Sequence, residues 1–364
     1  MTTRKTKDHE NSEWRKAFWK IMNKDGEGGS TPEGLSEESK KKSWKELEEH
    51  DEGKRTEKTK AMDDEETESV GREKYEELER EAPKKWDSFY SHFEDRFFKD
   101  RKYLEREFPE IFEGAMRKKR EIEEEEEKEK EGKGKGKGKM NKVFTVMEVG
   151  CGAGNTLIPM MEAMKGERIK FEAFDFSKEA ITVMKRRREF EEKRCHAFVC
   201  DVCDEEKMKE EVEEGSVDIV MAIFALSALN PEKLPQAIRV MFKMMKEGGM
   251  LMFRDYGVHD MTQARFVAKT GRKLCDGFYA RADGTRVHFF SKEETRSLFQ
   301  DAGFHVILNR YDTRELRNRK RDISMLRVWI TSKFLKPFSL TSSQQQQPPS
   351  TISSSSSSTS STTS

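Results

Sequence analysis

The chain has 364 residues, 34% hydrophobic and 38% charged, with 70 basic and 70 acidic side chains that cancel. A chain this polar does not fold throughout, its balanced charge names no partner, and no apolar run approaches the ~18 residues of a membrane span. The N-terminal MTTRKTKDHENSEWRKAF lacks a signal-peptide core and carries acids that transit peptides avoid, and five cysteines suit reduced thiols, so a cytoplasmic protein is expected, with the nucleus open.

In chain order, residues 1–80 are rich in Lys, Glu, Asp, Ser and Gly and are expected to be disordered, apart from a short helix near Trp14–Ile21. Residues 81–114 contain WDSFYSHFEDRFFKDRKYLEREFPEIF, an aromatic, basic-spotted segment that gains order only by docking on something. The stretch 115–141, with EIEEEEEKEKE and GKGKGKGK, reads as a solvated charge run followed by a flexible linker. From 142 to 338, apolar runs at 143–149, 169–176, 195–202, 217–226, 249–255, 304–311 and 325–334 alternate with helix-like stretches such as 178–192, 231–246 and 291–302. Near-continuous apolar strands between helices predict an α/β domain built on a parallel sheet covered on both faces. Only a charged loop joins the last two runs, so they should pair antiparallel. Residues 339–364 are a Ser/Gln-rich tail expected to be disordered.

The segment EVGCGAGNT, 148–156, places Gly150, Gly152 and Gly154 between the first strand and its helix. In a doubly wound sheet ligands bind beyond the strand C-termini, and glycine permits a close approach to the backbone. The spacing G-x-G-x-G is neither the dinucleotide fingerprint nor a Walker loop. Asp175 ends the second run and suits a ribose; Asp201 ends the third and suits an adenine amino group. A strand-end Asp also serves as a helix cap, but two behind a glycine loop favour an adenosyl group. Glu148 precedes the loop and no Lys or Arg lies in it, which fits a cationic cofactor such as S-adenosylmethionine. No histidine spacing suggests a metal, and CDVC at 200–203 has no second pair, so no metal site is expected.

EVGCGAGNT, DFSKEAI, FVCDVCDEEK, VDIVMAIFALSALNPEK, LMFRDYG, RADGTRVHFF and RVWITSKFLKP, with the upstream WDSFY, FFKDR and EFPE, together resemble the tRNA 3-methylcytidine methyltransferases of the methyltransferase-like family over residues 86–338. The resemblance implies the class I methyltransferase, Rossmann-like plan: a seven-stranded, mostly parallel sheet with an antiparallel last strand, capped by the aromatic segment. It implies methylation of N3 of cytidine 32 in the tRNA anticodon loop. FVCDVCDEEK and RVWI look closer to the branch acting on threonine and arginine tRNAs than to the serine-specific one. Carried over, Trp86 and Tyr90 would close over the cofactor, Gly150 and its neighbour Gly152 would lie along the methionine part, Asp175 on the ribose, Asp201 and Val202 at the adenine, and Ile223 opposite. Relatives rely on an aminoacyl-tRNA synthetase or another adaptor, so such a partner is expected beside the anticodon stem-loop; a membrane is not.

The chemistry asks for an unpaired base and for alignment, because N3 attacks the methyl group directly. A carboxylate near the exocyclic amine would help, and Asp255, with Arg254 beside it in FRDYG, is the catalytic candidate; a salt bridge is its ordinary alternative. RNA contacts are expected at Arg96, Phe98, Lys99 and Arg101, with Arg281 and Arg286 around ADGT and further charge at Arg314, Arg317, Arg319, Lys320 and Arg321. Phe97, Phe289 and Phe290 are candidate base-stacking residues, although core packing explains aromatics equally well. A protein or small-molecule methyltransferase, and a fold that binds without turnover, remain the competing readings.

Overall fold

The computed structural model describes residues 69–130, 143–318 and 323–339. Helices α1 (Arg72–Arg80), α2 (Ala82–Phe93), α3 (Leu104–Glu107) and α4 (Pro109–Lys130) precede the sheet domain. There β1 (Phe144–Val149), α5 (Leu157–Ala163), β2 (Ile169–Asp175), α6 (Lys178–Arg186), β3 (Cys195–Val199), α7 (Glu205–Glu211), β4 (Val217–Ile223), α8 (Leu234–Met244) and β5 (Met245–Tyr256) alternate. Next come α9 (Met261–Val267) and three short strands, β6 (Lys273–Cys275), β7 (Phe278–Ala280) and β8 (Arg286–His288). The chain closes with α10 (Lys292–Asp301), β9 (His305–Asn318) and β10 (Ile323–Leu335).

The seven-stranded sheet has the order β3-β2-β1-β4-β5-β10-β9, and β10 runs antiparallel to both of its neighbours. The predicted α/β plan and the antiparallel final pair are therefore present. Every residue of β1 is buried, as a strand covered on both faces requires. Its alternate side chains feed two cores. Met147 and Val149 pack with α8 and α10 residues such as Ile238 and Phe299, while Phe144 and Val146 pack with Phe108, Ile111 and Leu157. Strand order reverses between β1 and β4, so a crevice opens at their C-terminal ends, where the glycine loop lies.

Two predicted boundaries are corrected. Residues 72–80, assigned to a disordered region, form α1, whose Leu78 is buried against Leu274, Phe278 and Ala280 of the second sheet. Residues 115–130, read as solvated linker, continue α4. Ile111, Ala115 and Ile122 recur at helical spacing and are buried, and Glu and Lys are good helix formers. A buried ion pair, Glu110 to Lys333 at 2.5 Å, fastens α4 to the C-terminal end of β10. The antiparallel sheet β6-β7-β8 was not anticipated, because its strands of three residues carry no readable periodicity. The helix expected near Trp14–Ile21, the GKGKGKGK stretch, and Arg319, Lys320, Arg321 and the Ser/Gln tail beyond 339 lie outside the described residues.

Candidate active site

Gly150, Gly152 and Gly154 all adopt positive φ, at 62°, 54° and 79°, which a side chain would strain. The groups pressing on this bare backbone belong to the chain itself. A Cβ on Gly150 would meet the Ala225 methyl at 2.7 Å, and one on Gly152 would meet the Tyr90 hydroxyl. The loop is tied to β2 by Cys151 N–H donating to Phe174 O, 3.0 Å. It is also tied by Gly152 N–H donating to Asp175 Oδ2, 2.9 Å, while Oδ1 of Asp175 accepts from Ser177 N–H, 2.9 Å. Two carboxylate oxygens offer about four acceptor sites, so capacity remains for ribose hydroxyls. Burial pushes Asp175 up to about 6, against the pull of those N–H donors.

The aromatic segment docks on this loop. Phe89 and Tyr90 of α2 are buried against Ala153, Ala180 and Val183, with Trp86 stacked on Tyr90 at 5.9 Å. Asp87, which sequence reasoning passed over, accepts from Ser177 Oγ at 2.6 Å and from Glu179 N–H at 3.1 Å. It thereby caps α6 from another helix, and only its place between Trp86 and Tyr90 hinted at such a role. The FFKDR stretch divides. Phe97 is 54% exposed and Lys99 is exposed; Arg96 is exposed and pairs with Glu94 at 3.2 Å. Phe98 packs into the Phe89 cluster, and Arg101 turns inward. Arg101 donates to Thr156 Oγ1 at 2.6 Å, its own N–H bonds to Asn155 O, and its guanidinium lies 5.4 Å from the Phe224 ring. The expected RNA contact at Arg101 is thus replaced by a cation held at the base of the glycine loop.

That cation stands near Glu148, which is fully buried with no partner of hydrogen-bond geometry for either carboxyl oxygen. Burial drives Glu148 up to about 8, tempered by Arg101, Thr156 and the Leu157 amide. A buried acid lacking a hydrogen-bond partner beside two acid-bearing strand ends fits a ligand carrying an amino group and a ribose. Val202 and Ile223 are buried apolar residues of the neighbouring strand ends, and Asp201 is exposed, accepting from Cys203 N–H at 2.9 Å. These residues suit an adenosyl cofactor. Among the described residues no cluster of His, Cys, Asp and Glu is placed to hold a metal ion.

Asp255 and Arg254 part company. Successive strand residues face opposite sides, and Arg254 pairs with Asp312 of β9 at 2.6 Å and with Thr331 of β10, so it is structural rather than catalytic. Asp255 is wholly buried at the end of β5, accepting from Ser227 N–H and Tyr256 N–H, each at 2.9 Å. Burial raises it to about 6 against those donors. Its bonds set the turn after β4 and the Tyr256 main chain, which makes it a positioning group in this arrangement rather than a surface contact. Arg281 sits 5.7 Å from the Tyr256 ring, with its guanidinium on Arg286 O at 3.2 Å. Arg286, Phe289 and Phe290, proposed for RNA, are buried: Arg286 pairs with Glu79 and donates to Ala228 O, and Phe290 packs on Phe253. Arg314 pairs with Asp312 and Glu107, and the side chain of Arg317 is outside the described set. Phe224, unnoticed in the sequence, has a left-handed backbone, φ 57°.

A family model described as a methyltransferase domain matches residues 89–309. The chain is 37% identical over 277 residues to a tRNA N(3)-cytidine methyltransferase of Danio rerio, spanning 74% of this chain and 78% of that one. It is 38% identical over 264 residues to a tRNA N(3)-cytidine methyltransferase of Homo sapiens, spanning 72% and 84%. A protein of Dictyostelium discoideum named O-methyltransferase 3 is 35% identical over 331 residues, spanning 76% and 75%.

Proposed function

Because the chain belongs to the tRNA N(3)-cytidine methyltransferases, a family dependent on S-adenosylmethionine, we propose that it forms 3-methylcytidine at position 32 of the anticodon loop, in threonine- and arginine-type tRNAs rather than serine-type ones. The observation that supports an RNA loop as substrate is the double use of the capping segment. The helix that seals the glycine loop leads directly into Phe97, whose ring rests on Phe89, Phe93 and Phe98 with half its surface open to solvent, and into exposed Lys99. An exposed aromatic ring beside cations is how single-stranded nucleic acid is held without sequence readout. The name of the Dictyostelium relative raises oxygen methylation as a second reading, but this exposed segment favours RNA.

The bound cofactor supplies an electrophilic methyl group on a sulfonium. Asp175 would accept from the ribose hydroxyls, Asp201 and Val202 would flank the adenine, and Ile223 would form the apolar wall. Glu148 would answer the amino group of the methionine part, and Trp86 with Tyr90 would exclude water. Asp255 holds Tyr256 and the Ser227 turn in place, so alignment of N3 carries most of the rate. In this proposal an aminoacyl-tRNA synthetase or another adaptor selects the tRNA, and the reaction takes place in the cytoplasm.

The test is transfer of labelled methyl groups to tRNA. Label should appear in nuclease-sensitive material, map to cytidine 32, and vanish when that base is changed to uridine. Asp255→Ala should lower kcat by about 100-fold while cofactor Kd stays within a few-fold. Label that survives nuclease treatment would reject the tRNA reading.

A further inference from the structure

Phe224 ends β4 in a conformation that L-residues seldom adopt, φ 57°, and its side chain is neither glycine-small nor a polar αL former. An aromatic residue persists there only where the surroundings over-determine it. Those surroundings are specific. Phe224 N–H donates to Arg254 O at 2.7 Å, so the ladder to β5 continues to this residue and then breaks. Ile223 before it is the proposed cofactor wall, and the Ala225 methyl after it fills the space beside Gly150. The half-buried ring lies 5.2 Å from the Tyr256 ring, tilted 56°, with the Arg101 guanidinium 5.4 Å away. Tyr256 in turn packs on Phe289 and the apolar cluster of Tyr279 and Val287 from β7 and β8, and Asp255 fixes its main chain.

We propose that Phe224 is the platform on which the target cytosine stacks, its half-buried ring held in a left-handed backbone between the cofactor wall at Ile223 and Tyr256 at the end of β5. This rests on the tRNA reading above and adds the residue that presents the base. Tyr256 meets the Phe224 ring as a second, tilted aromatic surface. Arg101, anchored on Thr156, links the Phe224 ring to the glycine loop, so loading the cofactor side and seating the base involve one connected set of side chains.

The experiment compares the full-length wild type with Phe224→Leu, Phe224→Tyr and Phe224→Gly, measuring kcat and KM for tRNA, cofactor Kd by calorimetry, and Tm. Phe224→Leu should lower kcat/KM for tRNA by about 10- to 100-fold, the loss expected for one base stack, with cofactor Kd changed less than about two-fold. Phe224→Tyr should return activity to near wild type. Phe224→Gly, which relieves the backbone but removes the ring, should lose turnover at least as much as Phe224→Leu, with cofactor Kd again nearly unchanged. Full activity in Phe224→Leu, or a drop in cofactor affinity as large as the drop in turnover, overturns the proposal. A wild type that labels no tRNA rejects the tRNA reading itself, and with it the platform, whatever the variants do.

Discussion

The capping segment 86–101 and the stretch 278–290 around β7 and β8 are both written in arginine and phenylalanine, yet they meet solvent in opposite ways. In the first, Arg96, Phe97 and Lys99 are exposed, and of the basic residues Arg101 alone turns inward. In the second, Arg286, Phe289 and Phe290 are all buried. What separates them is the company each keeps. Arg286 meets Glu79 from α1, a carboxylate that Lys233 and Arg286 hold below its ordinary range despite burial, whereas Arg96 has only the exposed Glu94. Composition marks both as RNA-facing; a half-buried acid brought by a distant helix converts one of them into a wall.

The largest effect tests that wall. Arg286→Ala leaves the half-buried Glu79 with Lys233 alone and removes the buried guanidinium; it should cost about 1.5–3 kcal/mol, read as a fall in Tm, while the tRNA affinity of the folded fraction is unchanged. Replacing Arg286 and Glu79 together by Met and Leu should recover most of the loss. A variant with normal Tm and weakened tRNA binding would erase the distinction between the two regions.

The inward face of the capping segment gives the next effect. Glu148, opposite Arg101, titrates near 8 when folded and near the ordinary 4.5 when unfolded. The folded protein therefore holds the extra proton between those values, and stability falls as pH rises from about 4.5 to 8. Glu148→Gln removes that slope. In the cofactor-free protein it should match wild type near pH 4.5 and exceed it by about 2–4 kcal/mol at pH 8, measured by urea titration. The same substitution should weaken cofactor binding, and wild-type cofactor affinity should strengthen from pH 6 to 8 as the carboxylate forms. A flat pH dependence in wild type would mean that Glu148 is already paired.

How much of this was legible follows the range of the interactions. The alternation of strands, the antiparallel final pair and the cluster of Glu148, Asp175 and the glycines were readable, because apolar period and strand-end position are local patterns. The division of the basic residues was not. Nothing near Arg286 in sequence announces Glu79, more than two hundred positions earlier, and nothing near Arg254 announces Asp312. Phe224 was hidden for another reason: backbone handedness leaves no mark on a phenylalanine in a sequence. Likewise α4 was mistaken for linker because its few apolar residues, Ala115 and Ile122, are diluted by glutamates that are themselves good helix formers.

The smallest effects concern the outward face, and they decide whether it is an RNA surface at all. The Arg96–Glu94 pair is exposed on both sides and contributes little to stability, so Arg96→Ala and Lys99→Ala should leave Tm unchanged. Each should weaken tRNA binding by about 1 kcal/mol and reduce the salt slope of log Kd by about one. Phe97→Ala should weaken binding by about 1–3 kcal/mol with no change in that slope, since stacking releases no counterions. The contrast between the two kinds of loss carries the argument. If all three variants change affinity without touching the salt slope, the cations are ordinary solvated charge, and the aromatic ring alone makes the surface.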